Sequence, residues 1–131
     1  MTPAKRALIV DDESIVCERL RPPLERVGLE VETYTDSREA MARLRESHFD
    51  VLVTDLKMRK PDGLDMLREV RERSPDTHVF VITGFPTIDA AREAMKGGAV
   101  DFIPKPFKIS QLRELILQAC RAQDEAGPSD T

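Results

Sequence analysis

Four short apolar runs punctuate this chain, and each ends on polar chemistry. Ala7-Leu8-Ile9-Val10 leads into Asp11-Asp12, and Val51-Leu52-Val53-Thr54 leads into Asp55. Val79-Phe80-Val81-Ile82 leads into Thr83, and Val100-Asp101-Phe102-Ile103 leads through Pro104 into Lys105-Pro106. Such runs, bounded by helical patterns, predict buried parallel strands. Leu29 to Tyr34 alternates apolar and polar residues and predicts one more strand, the second in chain order.

Helical stripes fill the gaps. Val16, Leu20, Leu24 and Val27 share a helical face, with Gly28 as a C-terminal cap. Asp36 predicts the N-cap of a second helix, with Glu39 completing a capping box and Ala40, Met41 and Leu44 facing inward. Leu64, Leu67 and Val70 follow a Pro61-Asp62-Gly63 loop, and Pro75 stops that helix. Ile88, Ala91, Ala94 and Met95 mark a fourth helix closed by Gly97-Gly98, and Leu112, Leu115, Ile116 and Ala119 mark a fifth. Pro22-Pro23 conflicts with the first stripe, because a proline inside a helix costs about 3 kcal/mol or more. The expectation there is a kink or break between Glu18 and Pro23.

Strict alternation of strand and helix predicts an α/β fold: a doubly wound, five-stranded parallel sheet with helices on both faces. The common flavodoxin-like order is 2-1-3-4-5, which makes the ends of strands one and three neighbours. Ligands of such sheets bind beyond the carboxyl ends of the strands. That edge would gather Asp11, Asp12, Asp55, Thr83 and Lys105. Residues 4–123 read as one domain, and 124–131, polar with Gly127-Pro128-Ser129, as a flexible tail or the start of a linker.

The chain has 131 residues and a formal net charge of −4, which suits one core and argues against nucleic acid as a direct partner. No apolar stretch approaches the roughly 20 residues that span a bilayer, and the N-terminus does not read as a signal peptide. Cys17 and Cys120 form no CxxC, so reduced thiols and a cytoplasmic setting are expected. His48 and His78 lack the spacing of a ligand pair, and Met41, Met58, Met66 and Met95 read as packing residues.

Three carboxylates at one sheet edge repel one another unless a cation or proton relieves them. Mg2+ is the natural cation, with Mn2+ as an alternative, because it takes one or two carboxylates together with phosphate oxygens. Lys105 adds a positive charge for a phosphoryl group, and Thr83 a hydroxyl. Asp55, alone on the central strand, reads as the nucleophile, with Asp11-Asp12 as the metal seat. Each piece also has an ordinary reading. Asp11-Asp12 could be a solvated turn, Asp55 or Thr83 a helix cap, and Lys105-Pro106 a plain loop.

The motifs resemble the receiver domains of bacterial two-component response regulators. They are Val10-Asp11-Asp12-Glu13, Val53-Thr54-Asp55-Leu56-Lys57-Met58, Asp62-Gly63-Leu64, Thr83-Gly84 and Asp101-Phe102-Ile103-Pro104-Lys105-Pro106-Phe107. The likeness is strongest to receivers of nitrogen-regulator-type transcription activators. It implies Asp55 as phosphoacceptor, Asp12 as a direct Mg2+ ligand, Asp11 acting through water, and the Lys57 carbonyl as a further ligand. It also implies Thr83 and Lys105 as phosphoryl contacts, Phe102 as an aromatic switch in preference to plain core packing, and a cis Lys105-Pro106 bond. The implied partners are a sensor histidine kinase or phosphotransfer protein, and then a downstream effector or a second copy of the chain. Activity would be limited to self-phosphorylation and self-dephosphorylation. Lys57 and Phe85 fall at family positions that tune dephosphorylation. Arg59 stands where the family usually has proline.

Two other readings stay open on sequence. A degenerate receiver would act only as a scaffold. A haloacid-dehalogenase-like phosphohydrolase would carry a second Asp two residues after the nucleophile, where this chain has Lys57. The chain contains no recognisable ATPase or helix-turn-helix, so it is read either as a stand-alone receiver or as part of a longer regulator.

Overall fold

A computed structural model describes residues 4–126. Five strands and five helices alternate: β1 Arg6–Val10, α1 Ser14–Arg26, β2 Glu30–Tyr34, α2 Ser37–Glu46, β3 Val51–Asp55, α3 Gly63–Arg73, β4 His78–Thr83, α4 Ile88–Lys96, β5 Asp101–Pro104 and α5 Ile109–Ala126. The sheet order is β2-β1-β3-β4-β5, with all pairs parallel. This is the doubly wound arrangement expected from the alternation.

Alternate residues of the central strands face opposite layers, as the pleat requires. Ala7, Ile9, Val51, Val53, Phe80 and Ile82 pack against α1 and α5 through Leu20, Leu24, Leu112 and Ile116. Leu8, Val10, Leu52, Val79 and Val81 pack the other way against Met41, Met66, Leu67, Val70 and Ala94 of α2, α3 and α4. Both sides of the central strands are thus dry, which explains why they read as continuous apolar runs. Cys17 and Cys120 are free and buried in the first of these layers.

Helix α1 differs from expectation. It runs without interruption from Ser14 to Arg26 through Pro22 and Pro23, so the expected break does not form. Glu18 and Arg19, whose carbonyls lose their intrahelical donors to the two prolines, are exposed residues. Water can serve those carbonyls, while Leu20 and Leu24 hold the turns on either side against the sheet. Gly28 adopts φ 98° just after the helix and donates its N–H to the Glu25 carbonyl, as the C-terminal cap reading requires.

The capping box lies elsewhere than expected. Asp36 does cap α2, accepting from the Arg38 N–H, but the reciprocal box is formed by Asp62 and Asp65 at α3. Helix α4 also faces differently. Only Ala94 is buried in it, whereas Ile88 is 72% and Met95 47% exposed. Helix α5 continues through Asp124 to Ala126, and Asp124 pairs with Lys5 at 3.0 Å, so the helix enters the stretch expected to be tail. Residues 127–131 of that stretch lie outside the described residues.

At the β2 edge, Glu32 receives a two-pronged contact from Arg43, Nε to Oε1 at 2.8 Å and Nη2 to Oε2 at 2.9 Å. The Tyr34 hydroxyl and Arg6 add to it, and Arg6 stacks 4.4 Å from the Phe49 ring centre. The Arg43 hydrogen bonds hold the Glu32 carboxyl down to about 2, against a smaller opposing effect of burial. A carboxylate depressed in the folded state stabilises above its ordinary range, and that contribution is lost as pH falls through about 2. Glu32→Gln is expected to cost about 1 kcal/mol at neutral pH, since a partly exposed pair is screened by solvent. Urea titration measures it, and an unchanged midpoint at pH 7 would refute the contribution.

Candidate functional site

The carboxyl ends of β1, β3, β4 and β5 meet at one edge of the sheet. Asp11 follows β1 directly and is fully buried; its N–H donates to the Tyr34 carbonyl at 3.1 Å. Its Oδ1 accepts from the Glu13 N–H at 2.8 Å, closing a tight turn that leaves Asp12 exposed. Asp55 is the last residue of β3 and is buried, 6% exposed. Thr83 ends β4, fully buried, with its hydroxyl oxygen accepting from the Phe85 N–H at 3.0 Å. Lys105 follows β5, and its N–H donates to the Thr83 carbonyl at 2.7 Å, tying two of these strand ends together.

The Lys105 ammonium lies 2.8 Å from Asp11 Oδ2, 2.9 Å from Glu13 Oε1 and 3.7 Å from Asp55 Oδ1. Ligand oxygens of Asp11, Asp12 and Asp55 all lie within 4.8 Å of one another. A cleft of about 230 Å³ opens over them, lined by Asp12, Glu13, Asp55, Lys57, Thr83, Gly84, Phe85 and Lys105. Every residue that sequence reading assigned to the site is in or against this cleft except Phe102. Phe102 lies two residues before the end of β5, half-buried, and packs on the α2–α4 side of the sheet.

The electrostatics follow from crowding. Burial, and then the charge of Asp11, push the Asp55 carboxyl up to about 6, with Lys105 pulling the other way. Burial also raises Asp11, against the opposing pull of Lys105 and the Glu13 N–H. Burial works against the Lys105 ammonium, but its bonds to Asp11 and Glu13 outweigh that and raise its pKa. One positive charge is therefore shared among three carboxylates, Asp11, Glu13 and Asp55. Asp11 Oδ2 is buried and is held by the Lys105 ammonium at 2.8 Å, an ion pair rather than a well-directed hydrogen bond. A buried carboxylate oxygen whose close partner is one ammonium, beside two more carboxylates, belongs to a donor set that fits a hard divalent cation.

Asp55 and Thr83 are not helix caps. The cap of α3 is Asp62, not Asp55, and the cap of α4 is Thr87, not Thr83. The Lys105-Pro106 bond is cis, and Lys60-Pro61 is a second cis bond that the sequence did not signal. Sequence reading gave no role to Glu13, which the structure places on Lys105. Its position beside the Asp pair was visible, but the reach of a lysine 92 residues away was not. His48 contacts Asp76 and His78 contacts Gln123, both away from the cleft.

Comparison with known proteins places the fold in a family. The chain is 36% identical over 129 residues to the response regulator protein PilR of Pseudomonas aeruginosa, covering 96% of this chain and 29% of PilR. The chain thus spans less than a third of the length of that relative. Among solved structures, a CheY-like response regulator receiver domain protein from Methanospirillum hungatei JF-1 superposes with a TM-score of 0.89 at 27% identity, covering 95% of this chain and 99% of the other. The beryllofluoride-activated NtrC4 receiver domain dimer matches at 37% identity and a TM-score of 0.82, covering 89% and 97%. The family model for the response regulator receiver domain matches residues 7–117, and the chain belongs to that family.

Proposed function

We propose that this chain is a phosphoryl-accepting switch in two-component signalling, with residues 4–123 as the working unit. The observation that carries the reading is the convergence of three carboxylates, a buried hydroxyl and an ammonium on one small cleft. Asp55 Oδ attacks the phosphorus of a phosphohistidine on a sensor kinase or phosphotransfer protein. A new O–P bond forms as the P–N bond breaks, and the bond pair leaves with the imidazole nitrogen, which takes up a proton. Asp11, Asp12, Asp55 and the Lys57 carbonyl would hold Mg2+, or alternatively Mn2+, which supplies charge neutralisation for the transferring phosphoryl oxygens. Lys105 lies close enough to Asp55 to shift from its present carboxylate partners onto a phosphoryl oxygen. The Thr83 hydroxyl can donate to another. Attack of water on the same phosphorus breaks the O–P bond, releases inorganic phosphate and returns Asp55.

The output in this reading is a change of the α4-β5-α5 surface. The backbone bond from Lys105 to Thr83 supports it, since it joins the phosphoryl contacts to β4 and β5. Phe102 on β5 is half-buried against the α2–α4 layer. Ile88 and Met95 leave apolar surface on α4 for a second copy or an effector. PilR and the similar DNA-binding transcriptional regulator NtrC of Salmonella typhimurium are regulatory proteins, so a bacterial cytoplasmic setting is part of this proposal. No helix among the described residues is long and apolar enough to cross a membrane.

Intact mass after incubation with acetyl phosphate tests the reading. Wild type is expected to gain one phosphoryl group only with Mg2+ present, and Asp55→Asn to gain none. Labelling retained by Asp55→Asn would reassign the acceptor. No labelling of wild type, from acetyl phosphate or from a phosphorylated kinase, would leave the scaffold reading in its place.

A further inference from the structure

We propose that Ser37 is a positioning residue for the loop that carries the Lys57 carbonyl. The inference rests on the metal-dependent reading given above. The loop runs from Leu56 to Asp62 without regular structure. Its ends are fixed: the Leu56 N–H donates to the Ile82 carbonyl at 2.8 Å, and the Gly63 N–H donates to the Leu56 carbonyl at 3.0 Å. Between them, one hydrogen bond ties the backbone of residues 57–61 to the rest of the described residues. It runs from the Ser37 hydroxyl to the Arg59 carbonyl, at 2.8 Å.

Ser37 is placed for this task and little else. It is the first residue of α2 and is 5% exposed, although its side chain is polar. The α2 N-terminus is already capped by Asp36, so the Ser37 hydroxyl is not needed there. Its bond lands two residues beyond Lys57, on the same stretch that must deliver a carbonyl oxygen to the acidic cluster. A loop held in place loses less conformational entropy when its carbonyl is engaged than a free loop does. Outer partners that orient metal ligands typically change affinity by tenfold or more when removed. The contact also joins α2, which touches neither nucleophile nor lysine, to the metal-binding side of the site.

The test is Ser37→Ala, in which alanine keeps the helix and removes only the hydroxyl. Three measurements are made on both proteins: the Mg2+ dissociation constant by calorimetry, the metal-free melting temperature, and amide hydrogen exchange over residues 57–60. The expected result is about tenfold weaker Mg2+ binding together with faster metal-free exchange confined to the loop. A purely structural serine would lower melting and leave the Mg2+ constant where it was, which would overturn the inference. So would exchange and affinity equal to wild type. Failure of wild type itself to bind Mg2+ would instead overturn the underlying metal-dependent reading, so the two failures are distinguishable.

Discussion

Gly63→Ala is expected to lower the melting temperature by about 10 °C and slow phosphoryl uptake from acetyl phosphate by about a hundredfold. A Cβ at this position would lie 2.4 Å from the Asp55 carbonyl oxygen and 2.8 Å from the Leu56 Cα. Both are backbone atoms at the end of the central strand, and neither can rotate away. Asp55 and Leu56 are themselves buried, so any shift is passed into packed neighbours. Overpacking of this kind typically costs about 1–3 kcal/mol, and the upper end applies where backbone must yield. Alanine is the better helix former by about 1 kcal/mol, so propensity alone predicts the opposite sign. The residue that has to move is the phosphoacceptor itself, which is why rate falls together with stability. Gly84→Ala is the control for the melting temperature alone, because a Cβ there meets nothing within 4 Å. Wild-type melting and labelling in Gly63→Ala would mean that α3 pivots freely from β3, contrary to the packing described here.

The close approach at Gly63 is one of the things sequence does not display. Asp62-Gly63 reads as a turn, and only the fold reveals that α3 starts against the Asp55-Leu56 peptide. The strands and their order were more open to reading. β1, β3 and β4 are buried on both faces, so their apolar runs are continuous, and the polar residue that ends each run marks the functional edge. Local rules failed where tertiary packing outweighed them. Pro22 and Pro23 remove two hydrogen bonds, yet Leu20 and Leu24 anchor the helix on both sides of the defect. Glu39 offered the usual spacing for a capping box, but the box formed with Asp65, whose shorter side chain also serves. Ile88, Ala91 and Met95 share one helical face, but α4 rests on the sheet through Ala94 on another, leaving the larger residues outside. Within the site, the residues that bear charge were legible because few roles suit them at strand ends. Glu13 and Ser37 were not, because their meaning lies in partners distant in the chain.

In the metal-free protein, Asp55→Asn is expected to be more stable than wild type by about 3 kcal/mol at pH 7.5. The magnitude follows from a carboxyl raised from its ordinary value near 4 to about 6 by burial and by Asp11. Below about pH 4, folded and unfolded chains both carry this group protonated, and it adds no pH dependence. As pH rises toward 6, the unfolded chain has released its proton while the folded chain still holds one, so wild-type stability falls. Above about 6 the folded protein must carry the charge in full, and the loss is complete. The advantage of Asn should therefore grow between pH 4 and 6 and level off beyond. The substitution does not strand Lys105, whose ammonium keeps Asp11 and Glu13 at under 3 Å. Denaturant titration of both proteins across this range measures the difference. Added Mg2+ should then narrow it, because a cation in the cluster stabilises wild type through a carboxylate that the variant lacks. Equal stability of the two proteins at pH 7.5 without metal would show that the three carboxylates are not in conflict. The strain that makes Asp55 ready to accept a cation and a phosphoryl group would then have to lie elsewhere.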